Sequence, residues 1–314
     1  FVVAIVPNAQ VVLWDVTDKS SPIKTRTING HSLGVNVVIF ESRNNMLLSG
    51  SRDGAIMIWD SIQPKTEMEL GSIDGSMIDM AFQPNSNILL SVDNEYKMTT
   101  WDISDLSNPV KLKTQDGPAS IVIFNNDGSL MASMDFDETA TLWNMKDFSK
   151  LGTITMSGET VNAIEFSADG KILAVNGEKV VFWDISDPKK PVKLSTLPQD
   201  SNEFSDLAFN AEGKLLAAIA GNNVVLWDIS DISKPSRLAV LEGHSNQIQS
   251  VVFNPLNPSL LVSAGKDKNI ILWNVADPLN PQKADTLANH SDWVTSVAFS
   301  PDGTKLASGS YDKY

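Results

Sequence analysis

The chain has no cysteine. Disulfides, thiol nucleophiles and thiolate metal sites are therefore excluded together, although the compartment is left open. No apolar run approaches the roughly 18 residues that a membrane-crossing helix requires, so no membrane span is expected. Basic residues are scarce, 24 Lys and Arg against 38 Asp and Glu, for a net charge of −14. A general nucleic-acid binder draws on clustered cations, so no nucleic-acid partner is expected. The acidity serves solubility and is compatible with a basic partner. No glycine-rich phosphate loop leads into a helix, and almost no helix is expected. There is neither an initiator Met nor a leader, and Phe1 already reads as strand interior. The chain is accordingly expected to be an excerpt of a longer protein, with a cytoplasmic setting.

What the chain does have is one recurring phrase. A Trp followed by Asp or Asn stands at Trp14, Trp59, Trp101, Trp143, Trp183, Trp227 and Trp273, at intervals of 40 to 46 residues. Such a period signals a repeat architecture and overrides a domain count taken from length. Each repeat reads as four short strands, here lettered a to d. In the second repeat, a is Val35 to Phe40, b is Met46 to Ser51, c is Ala55 to Trp59 and d lies near Glu67 to Leu70. The a–b turns carry pairs such as Asp127-Gly128, Asp169-Gly170 and Asp302-Gly303, which supply hairpin geometry. The c–d connections share Asp-Ile-Ser-Asp at Asp102, Asp184 and Asp228, each followed by a Pro that cannot extend strand c. Four strands on a strict period near forty select an all-β propeller with seven antiparallel blades.

The strand count determines how the ring closes. There are seven a, seven c and about seven d strands, but two candidates for the first blade's b strand, Phe1 to Val6 and Lys305 to Ser310. The N- and C-terminal strands should therefore share one blade, formed from about 1–28 and 290–314 within a single unit spanning 1–314. Val294 to Ser300 should be its innermost strand.

These motifs make the chain resemble the WD-repeat β-propellers, most clearly from Gly30-His31 to Trp59-Asp60 and from Gly243-His244 to Trp273-Asn274. The resemblance implies hydrogen-bonded tetrads of His, Ser, Asp and Trp. His31, Ser49, Asp53 and Trp59 would form one, and His244, Ser263, Asp267 and Trp273 another. Trp14 could complete a third with His290, Ser308 and Asp312, which favours the C-terminal b strand. The third to sixth repeats lack the His. The first, fifth and sixth have shortened b–c turns, the first at Pro7 to Gln10, so full tetrads are not expected in repeats three to six. The Asp-Ile-Ser-Asp loops look like those of bacterial WD-repeat proteins.

No catalytic site is expected. The three His occupy one repeat slot and lie far apart around a ring, whereas a metal needs convergent ligands; no metal or other cofactor is expected. Asp53, Asp137, Asp267 and Asp312 read as turn residues. Ser49-Gly50-Ser51 lacks the strand–turn–helix setting of a nucleophile. The resemblance implies partner contacts at the residue before the turn Asp, namely Arg52, Phe136, Lys266 and Tyr311, with Asn94 at the matching place. Trp293, the one off-register Trp, either joins that face as an exposed aromatic or packs on its own blade. The expected function is a non-enzymatic protein–protein interaction platform, a sensor, regulatory or scaffold module of a larger signalling protein. The alternative is an enzyme or small-ligand propeller using the central channel, which would need convergent polar groups there; none is apparent in the sequence.

Overall fold

The computed structural model describes residues 9–41, 46–60, 67–72, 77–105, 108–116, 119–134, 139–156, 161–198 and 204–312. These form seven four-stranded antiparallel sheets. The innermost strands, beginning at Val35, Met77, Ile121, Ala163, Leu207, Ile248 and Val294, touch one another in that order, and the last touches the first. The chain is a closed ring of seven blades with no helix among the described residues.

The apolar pattern explains why the blades need one another. Strands b and c are buried almost throughout, as in Leu215–Ala220 and Ile270–Asn274. A sheet buried on both faces must lie between two neighbours. Seven apolar clusters fill the seven gaps, each built from two adjacent blades. Every cluster holds one strand-c Trp and one Phe from the end of a strand a, for example Trp59 with Phe40 and Trp227 with Phe209. The outer strands are exposed. Val110–Gln115 places Lys111 and Lys113 along its free edge, which discourages pairing with another chain.

The residue after the Trp has a separate local task in six of the repeats. Asp15, Asp102, Asn144, Asp184, Asp228 and Asn274 each accept the backbone N–H two residues on, at 2.8–3.2 Å. Asp and Asn both present the acceptor this turn needs, which is why either serves. The next side chain, Ile103, Ile185 or Ile229, is buried and plugs the gap between blades. A second Asp then repeats the turn, as Asp187 does with the N–H of Lys189.

The ring closes by mixing the two ends of the chain. In one blade Val294–Phe299 is innermost, Lys305–Ser310 pairs outward with Ala9–Asp15, and Ile23–His31 lies at the edge. Ser308 stands opposite Val12 and Leu306 opposite Trp14. The shortened first b–c turn expected at Pro7 to Gln10 does not apply to this blade, because its b strand arrives from the other end of the chain and its c strand begins at Ala9. The other b candidate, Phe1 to Val6, lies outside the described residues.

Closure by Lys305–Ser310 gives a direct expectation. Deleting residues 304–314 strips strand b from that blade and exposes the clusters on both sides of it. The thermal midpoint should fall by at least about 10 °C. An unchanged midpoint in calorimetry would mean that another strand fills the place.

Candidate functional site

Blades are numbered from the closing blade as blade 1, so Val35–Phe40 opens blade 2 and Ile248–Phe253 opens blade 7. The turn between strands b and c is held by side chains. In blade 2, Trp59 Nε1 donates to Ser49 Oγ at 2.7 Å, and Ser49 Oγ lies 2.7 Å from His31 Nε2. His31 Nδ1 is 3.1 Å from Asp53, which also accepts the N–H groups of Ser32 and Ala55. Asp accepts and Trp donates, so the consistent assignment puts the imidazole proton on Nδ1 and has the Ser hydroxyl donate to Nε2. Blade 7 repeats this with Trp273, Ser263, His244 and Asp267. Blade 1 repeats it with Trp14, Ser308, His290 and Asp312 at 3.3, 2.7 and 2.7 Å. Glycine precedes two of these His because the Trp ring lies against its Cα. A Cβ on Gly30 or Gly243 would come within 2.7 or 2.9 Å of Trp59 or Trp273.

Each of these His is delivered by the preceding blade. His31 ends the outer strand of blade 1 but bonds within blade 2, so the network latches neighbouring blades together. The latches cover three consecutive blades, 7, 1 and 2. Elsewhere the network thins. Trp101 and Trp143 still donate to Ser91 and Ser133. In blades 5 and 6 the strand-b position is Val175 and Ala218, and the buried nitrogens of Trp183 and Trp227 find no acceptor among the described residues.

The residue before each latched Asp projects outward, and three of them meet across blades. Arg52 Cζ lies 4.8 Å from the Tyr311 ring centroid. Tyr311 stacks on Trp293 at 6.1 Å and 27°. Lys266 Nζ sits 4.7 Å over Trp293. The result is a ladder of cation, two aromatic rings and cation, running over blades 2, 1 and 7. Trp293 is 40% exposed; it packs on its own blade's Tyr311 and also belongs to the outer face. Gly34 makes room for Tyr311, since a Cβ there would lie 2.2 Å from the ring. The Tyr311 hydroxyl donates to Asn36 at 3.2 Å. Asn94 is exposed in the turn of blade 3 and joins none of these ring contacts. Phe136 and Asp137 lie outside the described residues.

The central channel, where the sequence shows no convergent polar groups, does contain them. It is about 570 Å3, lined by the innermost strands, and holds three carboxylates, Asp79, Glu165 and Asp206. Asp79 accepts the N–H of Val122 at 2.9 Å and Asp206 that of Val251 at 3.1 Å. Each thereby satisfies the bare inner edge of the next blade. Ser296 does the same for Val38. Burial raises Asp79 and Asp206 to about 7 and Glu165 to about 8, with the Asp206 charge adding to the rise at Asp79 and Glu165. No Lys, Arg or His lines the channel among the described residues. An acidic residue inside an otherwise apolar strand, as in Met77-Ile78-Asp79, was the available signal. Among the described residues no group of His, Asp and Glu could hold a metal ion.

The family model of the WD domain, G-beta repeat, matches residues 22–60, 235–274 and 282–314. These stretches carry two complete latches and the His, Ser and Asp of the third, and sit in a ring of seven four-stranded blades. The chain is a WD-repeat propeller. Among curated proteins nothing matches. In this WD-repeat propeller the matched repeats are those with His, Ser and Asp all in place, and the unmatched ones are those that have lost some of them.

Two tests follow from the polar geometry. Trp59→Phe leaves Ser49 without its donor and should cost about 1–3 kcal/mol, while Trp227→Phe removes a donor that has no acceptor among the described residues and should cost clearly less. Denaturant midpoints distinguish the two, and equal losses would deny the latch any energetic role. The second test is pH. The channel carboxylates bind protons more tightly in the folded chain than in the unfolded chain, where their pKa is about 4. Their stabilising contribution is full below pH 4 and is lost as pH rises through 7–8. Asp79→Asn keeps an acceptor for Val122 and should be more stable than the parent above pH 8, by about 1–2 kcal/mol, with the gap closing near pH 4. Asp53 and Asp267 act in the opposite sense. Burial opposes their charge, but the His31 and His244 bonds and the neighbouring amides outweigh it and hold both below the ordinary range. Their contribution is lost as pH falls below 4.

Proposed function

We propose that this propeller is a protein-interaction platform and that its partner docks on the face formed by the b–c turns of blades 7, 1 and 2. WD-repeat propellers commonly mediate protein–protein contacts. The observation that carries the reading is the exposed ladder Lys266–Trp293–Tyr311–Arg52. Trp, Tyr and Arg are the side chains that dominate interface energetics, and here they are preorganised by buried latches, which lowers the cost of ordering them on binding. The channel supports a catalytic reading less well. Two of its three carboxylates already bond backbone of neighbouring blades, and the one hydroxyl among the described channel-lining residues, Ser296, is likewise engaged with the N–H of Val38. We read the chain as non-enzymatic. The Asp-Ile-Ser-Asp loops support a place in a bacterial signalling protein, as a cytoplasmic sensor, regulatory or scaffold module. No helix among the described residues is long and apolar enough to cross a membrane, and the partner is taken to be a protein or peptide.

Affinity capture tests the face. Proteins retained by the parent chain should be lost from Trp293→Ala and from Arg52→Glu, with affinities weakened about 30-fold or more, while circular dichroism and the melting midpoint hold. Retention of the same partners at unchanged affinity by both variants would refute the assignment.

A further inference from the structure

We infer that the partner presents a carboxylate-rich peptide segment to the ladder. This rests on the assignment of that face as the binding site and adds the chemistry of what binds. The chain as a whole is strongly acidic, with a net charge of −14. Around Trp293, however, cationic side chains gather at the rim. Arg52, Lys266 and Lys268 stand there, on blades 2 and 7, to either side of the stacked rings of blade 1. None of the three is in an ion pair among the described residues. Lys266 Nζ donates to the neutral Gln247 side chain at 2.6 Å, and Lys268 Nζ to the Ser291 carbonyl at 2.6 Å.

The nearby acids are turned to other work. Asp53, Asp267 and Asp312 bond inward to His31, His244 and His290. Asp292 caps the N–H of Trp293 at 2.8 Å. Three cations thus have donors left over, and none of the local acids pairs with them among the described residues. Each cation is held by a ring, a neutral amide or a carbonyl, so its position is fixed while its charge is not neutralised. Carboxylates make the strongest partners for such donors, and Arg takes them two bonds at a time. The rings between the cations offer an apolar platform for the peptide stem. A basic segment would meet three like charges here at the outer rim, which suppresses it as a partner.

A displayed library of random short peptides, panned against the 314-residue chain, tests this without knowledge of the natural partner. Captured peptides should be enriched in Asp and Glu even though the chain itself is acidic. A synthetic copy of the strongest binder should weaken about tenfold or more on Arg52→Gln and on Lys266→Gln, and the same copy with Gln for its acids should lose binding likewise. Both variants remove charge from exposed or half-exposed side chains, and an unchanged melting midpoint checks that they fold. Acidic peptides bound equally by parent and variants would overturn the face itself. Neutral or basic peptides that lose binding on Trp293→Ala would keep the face and overturn the inferred chemistry. A library that yields no enriched peptide would count against both.

Discussion

Burial of both faces of every blade is the constraint on which the rest of this molecule depends. The middle strands of each sheet are apolar on both sides, so no blade can end the series. The only arrangement that leaves no bare face is a closed ring, and closure forces the two ends of the chain into one sheet. Lys305–Ser310 therefore lies beside Ala9–Asp15 although almost the whole sequence separates them. Stability in such a ring is a sum of neighbour contacts, but the closing pair is special. It is the only blade whose strands are not consecutive in the chain, so its entropy cost is the largest.

Polar contacts divide the ring into two regimes. From blade 7 through blade 2, a buried chain of Trp, Ser, His and Asp ties each blade to the one before it. In blades 2 and 7 both Asp oxygens are bonded, which is the condition for a buried network to help rather than harm. In blades 5 and 6 the strand-b Ser is replaced by Val175 and Ala218, and the indole nitrogens are left without acceptors among the described residues. Those blades are joined without the latch, by packing and by scattered bonds such as Asn176 Nδ2 to the Phe204 carbonyl. Trp183 and Trp227 persist because the ring is needed to fill the gap between blades, whatever becomes of its N–H.

Much of this was legible in the sequence. The period near forty, the turn pairs and the Trp-Asp phrase give the fold, because each is a local requirement repeated seven times. The latches were legible through family resemblance, since Gly-His, Ser and Asp recur at fixed distances from the Trp. The cross-blade ladder was legible only as a face: Arg52, Lys266 and Tyr311 are far apart in the chain, and spacing within one repeat says nothing of contact between repeats. Trp293 could be read either as packing or as surface, and the structure gives it both roles. The channel carboxylates escaped notice because Asp79, Glu165 and Asp206 occupy two different positions along strand a and do not form a motif. Their proximity is created by the ring.

The two regimes bear on function through rigidity. An exposed aromatic pair is useful for recognition when its rotamers are already fixed, because ordering side chains on binding costs free energy. Tyr311 is fixed from three sides: Gly34 admits its ring, Asn36 takes its hydroxyl, and Asp312 behind it is anchored to His290. Arg52 and Lys266 likewise sit one residue before a latched Asp. The latches were placed by the demands of a buried indole, yet their outward consequence is a row of side chains held at fixed spacing on three adjacent blades. The same latches turn the carboxylates of that region inward, so Arg52 and Lys266 meet a ring and a neutral amide rather than a carboxylate among the described residues. Position, rigidity and charge at this rim thus have one common origin in the buried hydrogen bonds beneath it.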